Sequence, residues 1–271
     1  MKATLTAQAS LVLILMSVST DAFSHHVVSE TGIAWAEPVS VLELDTQAAS
    51  FDLGPRNKGR WQTMALRLQM APLSWFSVSL RVPFSAIQFE DGRQALGLGD
   101  LEAALQVRLF ASPHGGLIAS AGVGAELPTG VEEDQLGSGH VELTPYLIAS
   151  TQPLDHVILT SVLSYRTAIT GEPQHQNSAR AATGSVLAPH SAQEFSARLD
   201  AAWVEEQRWY ASAGVEAILM IAQDQPNPIH GRLEVGWLPD TRWRLALGVE
   251  RHLRGESRMR WKGKMNLAWL F

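Results

Sequence analysis

Ser257-Arg-Met-Arg-Trp-Lys-Gly-Lys-Met-Asn-Leu-Ala-Trp-Leu-Phe271 closes the chain and alternates almost without error. Met259, Trp261, Gly263, Met265, Leu267, Trp269 and Phe271 fall on one face, and Arg258, Arg260, Lys262, Lys264 and Asn266 on the other. A period of two is the signature of a strand. Four cations on one side and bulky apolar groups on the other call for a wall with oil on one face and water on the other, which is the wall of a transmembrane β-barrel.

The same alternation recurs upstream in segments of about ten residues separated by turn chemistry. Trp243, Leu245, Leu247 and Val249 interleave with Arg244, Gly248 and Glu250; Phe195, Ala197, Leu199 and Ala201 with Arg198 and Asp200; Phe76, Val78, Leu80 and Val82 with Ser77, Ser79 and Arg81. Counting them predicts an all-β fold, a single antiparallel transmembrane β-barrel of roughly twelve strands, over residues 39–271. Parity then sorts the connections. Ala71–Ser74, Ser112–Gly115, Gln152–Asp155, Glu205–Gln207 and Pro239–Thr241 fall on the side of the termini and are short. Pro55–Arg60, Asp91–Gly99, Thr129–His140, Gly171–Ser191 and Gln223–Pro228 fall opposite, and most are longer and more polar, as outer loops are. Trp75, Trp209, Trp237, Trp243 and Trp269 gather near the inner ends, where an aromatic girdle belongs.

The amino-terminus places the chain in the envelope. Met1-Lys2, the apolar run Leu11–Val18 and the small residues Ala22 and Ser24 flanking Phe23 read as a signal peptide over 1–24. The run falls short of the roughly 20 residues a spanning helix needs. Residues 25–38 are expected to stay periplasmic or to enter the lumen as a partial plug. The expected location is the outer membrane of a Gram-negative bacterium. Its lipid is the surrounding partner, and Phe271 is the recognition signal for barrel-insertion machinery. There is no cysteine, which removes disulfides and thiolate chemistry, and a net charge of −6 leaves no footprint for nucleic acid.

Three blocks carry a resemblance: Gly97-Leu-Gly-Asp-Leu-Glu-Ala-Ala-Leu-Gln-Val-Arg-Leu-Phe110, Glu126-Leu-Pro-Thr-Gly130, and Leu136-Gly-Ser-Gly-His-Val-Glu-Leu-Thr-Pro145. In this order they resemble the recurring blocks of the MetA-pathway phenol-degradation family of outer-membrane transporters. The resemblance implies a barrel that moves small compounds, aromatic or sparingly soluble ones among them, and implies no catalytic residues. On the residues themselves, the glycines read as turn positions at the outer rim.

Candidate functional residues are those that parity turns inward. The carboxylates are Glu43, Asp45, Glu102, Glu126, Glu142, Asp200, Glu216, Glu234 and Glu250, and the cations are Arg67, Arg81, Arg108, Arg166, Arg198, Arg232, Arg244, Arg258, Arg260, Lys262 and Lys264. Two arrangements fit them. One is an interior network of ion pairs; the other is a basic stripe, Arg258–Lys264 with Arg242 and Arg244, that selects anions. His25 and His26, beside the expected new amino-terminus, offer a geometry for Cu(II) or Ni(II), against the plainer reading of a flexible polar start. A metal-linked envelope protein and a closed barrel that transports nothing are therefore kept as alternatives to a small-molecule channel. No cofactor is expected, and no enzyme: His190 and Ser191 are adjacent, so on a strand their side chains point apart, and no nucleophile elbow occurs.

Overall fold

A computed structural model describes residues 36–52, 58–112, 116–131, 136–169, 193–205, 208–221, 227–254 and 259–271, without the side chains of 220, 259 and 260. The expected signal peptide, residues 25–35 and all of Gly171–Ser191 lie outside them.

Thirteen strands occur among the described residues: β1 (Val41–Asp52), β2 (Lys58–Leu73), β3 (Phe76–Phe89), β4 (Gln94–Leu98), β5 (Leu101–Ala111), β6 (Leu117–Leu127), β7 (Glu142–Leu154), β8 (Val157–Ala168), β9 (Gln193–Glu205), β10 (Trp209–Met220), β11 (Ile229–Trp237), β12 (Trp243–Arg254) and β13 (Met259–Leu270). Sequential neighbours pair antiparallel, and β1 pairs with both β2 and β13, so the sheet closes on itself. β4 and β5 both pair with β3, Leu98 facing Phe84 and Glu102 facing Arg81, and together form one stave broken at Gly99 and Asp100. The result is a closed twelve-stave barrel in which, among the described residues, only β4 keeps an unpaired edge.

Two expected connections change. Asp91–Gly99 is not a long outer loop: a tight turn with Gly92 at φ 90° reverses the chain, and Gln94–Leu98 returns as β4. Five residues, two of them glycine or alanine, carry too short an alternation to stand out. The stretch Pro55–Arg60 likewise contains the start of β2, because Arg60 and Lys58 continue the exterior parity of Gln62 and Met64.

Along every stave the exterior is apolar. Leu66, Leu80, Leu105, Leu147, Leu199, Leu233 and Leu247 are each 47–60 % exposed, and they ring the barrel. So continuous an apolar face is incompatible with water and fits lipid. Trp209 stacks on Trp237 and Trp243 on Trp269 across neighbouring strands at the end that holds the start of β1 and Phe271, forming the inner girdle. Leu105→Arg, which faces lipid, is expected to destabilise the folded barrel by about 2–3 kcal/mol. Denaturant unfolding in lipid vesicles checks this, and a cost indistinguishable from that of Leu105→Ala would contradict a membrane-facing site.

Inside, two tyrosines lie flat over glycines of the next strand. A Cβ on Gly122 would collide with the Tyr146 ring, and one on Gly236 with that of Tyr210. These glycines leave room for large rings in a curved wall, and Tyr210 is thereby aimed to donate its hydroxyl proton to Glu234 Oε1.

Candidate functional site: the lumen

The lumen holds a cavity of about 350 Å³, lined by seven carboxylates and seven cationic side chains. Arg67, Arg81, Glu102, Glu126, Arg166, Arg198, Glu216, Arg232, Glu250, Lys262 and Lys264 all reach it. Glu142, Asp200, Glu234 and Arg244 are buried in the interior beside it, and Arg108 points inward near its base. Arg258 lies outside the described residues, as does the side chain of Arg260, so their expected lumen positions have no counterpart here. His25 and His26 also fall outside.

At the base, Glu43 of β1 sits between two guanidiniums. Arg244 Nη2 lies 3.3 Å from its Oε1, and Arg67 Nη1 lies 3.5 Å from its Oε2. Arg244 also donates to Asn266 Oδ1 at 2.8 Å, and Arg67 to Gln69 Oε1 at 3.2 Å. Glu43 thus ties β1 to its neighbour β2 on one side and, across β13, to β12 on the other, and Arg244 is 1 % exposed.

A second seal adjoins the first. From Val41 in β1 the chain runs back across the lumen, so that fully buried Ala36 packs among Ile118, Tyr146, Ile148 and Val162 of β6–β8. Its carbonyl accepts bonds from Gln106 Nε2 and Ser120 Oγ, while Glu37 Oε1 pairs with Arg108 Nη1 at 3.0 Å.

Higher up, charge is divided across the lumen. Glu102, Glu126 and Glu142 stand directly opposite one another on β5, β6 and β7. Such like-charge neighbours repel, and cations flank the row: Arg81 bonds Glu102 and reaches Asp45 at 3.7 Å, and Arg166 lies 3.6 Å from Glu142. On the far wall Lys262 and Lys264 lie 2.8 and 3.8 Å from Glu250, which His230 also contacts, and Arg198 pairs with Asp200 at 2.9 Å. In the described part of the stripe expected from β13, Lys262 and Lys264 are therefore paired rather than bare. Carboxylates of the neighbouring strands meet it, and Arg242 is exposed in the inner turn, where its N–H is capped by Asp240.

The outer mouth adds inward residues that charge does not mark. Trp61, Phe51, Ile87, Phe89 and Leu136 form an apolar cluster inside the barrel. Trp61 shares the inward parity of Thr63, Ala65 and Arg67, a signal the sequence did contain. Leu136 belongs to the described 136–140 end of the Thr129–His140 connection, and Asp100 holds that end beside the 129–131 end: Gly130 N–H donates to Asp100 Oδ1 at 2.8 Å and Ser138 N–H to Oδ2. Thr129 Oγ1 adds a bond to the Gly99 carbonyl at 3.1 Å. The three sequence blocks meet here, with Asp100 as their hub and Gly97, Gly99, Gly130 and Gly137 leaving room for close backbone approach.

His140 closes this loop with Nε2 2.7 Å from Glu142 Oε1. That hydrogen bond holds its imidazole above the ordinary histidine range. Because the folded value is raised, the bond's contribution is complete below about pH 6.5 and fades as pH rises through the folded value. Added protease is therefore expected to cut the 129–140 loop faster as pH rises from mildly acidic to alkaline. His140→Ala should be cut fast throughout; a variant that keeps the wild-type pH profile would refute the assignment.

Neither a protein-family model nor a curated protein matches the sequence. Among solved structures, the COG4313 outer membrane channel from Pseudomonas putida F1 aligns over 94 % of this chain and 100 % of its own, at TM-score 0.65 and 11 % identity. The KdgM porin in complex with disordered oligogalacturonate aligns over 85 % and 99 %, at 0.52 and 10 %. The translocator domain of autotransporter NalP from Neisseria meningitidis aligns over 98 % of each chain, at 0.51 and 11 %. At such identities the likeness is one of fold: this chain has the closed-barrel fold of outer-membrane channels and translocators. Which of their tasks it performs rests on the lumen.

Proposed function

We propose that the protein is an outer-membrane channel for small molecules, narrowed at both ends of its lumen. The observation that carries this reading is the 350 Å³ cavity, large enough for a small solute and lined with polar groups in balanced sign. Its charge balance favours neutral or internally neutral solutes over either kind of ion. Trp61, Pro83 and Leu136 supply an apolar patch on one side, which supports passage of compounds with an aromatic or aliphatic part, as the sequence blocks also suggest. Under this reading the crossing segment at Ala36 and Glu37 is a partial plug. Phe271, exposed at the inner rim with its N–H bonded to the Ser40 carbonyl, is the tag read by the insertion machinery.

Purified protein in planar bilayers tests the proposal. Discrete current steps with a reversal potential near zero in a KCl gradient are expected. A silent barrel would instead favour the closed structural alternative, and strong anion selectivity would favour the basic stripe.

A further inference from the structure

On the lipid-facing side of β12, β13, β1, β2 and β3 the wall is hollowed by a groove of about 660 Å³. Its floor is the row Gly263 of β13, Ala48 of β1, Gln62 of β2 and Ala86 of β3, small groups but for the Gln62 amide. Its sides are Leu247, Met265, Met64 and Phe84. Along β13, Trp269 marks the inner girdle and Trp261 lies eight residues before it, toward the outer end. At the rise and tilt usual for barrel strands this is about 20 Å along the axis, near the full apolar height. Gly263 is two residues below Trp261, so the groove lies in the outer-leaflet half of the wall.

Above the groove, the strand registers place Arg251, Trp261, Ser50 and Arg60 in one exterior row, each opposite the next. Arg251 and Arg60 are exposed, and neither takes part in an ion pair among the described residues. They stand three strands apart, about 14 Å at ordinary strand spacing, too far for a single phosphate to bridge easily.

We propose that this face binds one diphosphorylated glycolipid of the outer leaflet. An acyl chain lies over Gly263 and Ala48, the two phosphates pair with Arg251 and Arg60, and Trp261 sits between them at the headgroup boundary. An apolar groove with a cationic rim matches an anionic amphiphile: burial of the chain supplies affinity, and guanidiniums suit phosphate geometry. A second copy of this chain would bring its own Arg251 and Arg60 against the same row, which like-charge repulsion opposes.

Native mass spectrometry of the detergent-purified barrel, stripped and then titrated with diphosphoryl glycolipid, phosphatidylglycerol or inorganic phosphate, tests the site. Wild type is expected to retain one glycolipid. Arg60→Ser/Arg251→Ser, and separately Gly263→Leu, should each weaken retention by about fivefold or more, with bilayer conductance unchanged. Gly263 tolerates the larger side chain, since an added Cβ meets nothing closer than 3.8 Å. Equal retention by wild type and both variants overturns the proposal, as does equal binding of phosphatidylglycerol or capture of phosphate alone. A dimer lost in Gly263→Leu would overturn it in favour of a second copy.

Discussion

Replacing Arg244 with alanine is expected to destabilise the barrel by about 3–5 kcal/mol, because it strands a buried carboxylate between strands. Glu43 would keep Arg67 alone, and Asn266 Oδ1 would lose a charged donor. With Arg244 only 1 % exposed, little water is at hand to compensate. Arg244→Lys should fall between, since an ammonium keeps the charge but cannot span Glu43 and Asn266 as a planar fork does. Urea unfolding in vesicles, followed by tryptophan fluorescence, measures the difference. A cost under about 1 kcal/mol would mean that the base of the lumen is wet and its ion pairs exchangeable.

Reversing the charge of Arg108 should have the largest effect on current. Arg108→Glu sets two carboxylates face to face where Glu37 now meets a guanidinium 3.0 Å away, and repulsion then opposes the seating of Ala36. The bonds from Gln106 and Ser120 to the Ala36 carbonyl are neutral and individually worth about 1 kcal/mol, too little to hold the segment against it. Single-channel conductance is expected to rise roughly threefold or more. The charge swap Glu37→Arg/Arg108→Glu should bring it back toward wild type. If neither variant changes the current, the crossing segment does not limit passage.

The inner half of the architecture was readable because barrel strands obey one rule. Every described candidate from Arg67 to Lys264 points inward as parity requires, since adjacent strands in register keep the same face toward the lumen. Apolar inward residues such as Trp61 share that parity but carry no charge to set them apart from the lipid-facing residues of the same strand. The break at Gly99 and Asp100 was hidden for another reason. β4 is too short for its period to show, and its place is fixed by pairing with β3 rather than by its own composition.

The partners of the inward charges were not readable at all. Glu43 and Arg244 are separated by two hundred and one residues, and they meet only because β13 lies between β12 and β1 when the barrel closes. The same holds for Asp100, whose two backbone donors come from thirty and thirty-eight residues downstream. By itself the sequence determined which side of each strand meets lipid and which meets the lumen, because alternation is local. Closure of the sheet and the placement of Leu136 inside the barrel decided which charges neutralise one another and where the lumen narrows. Those contacts depend on strand register and curvature, which no single strand encodes.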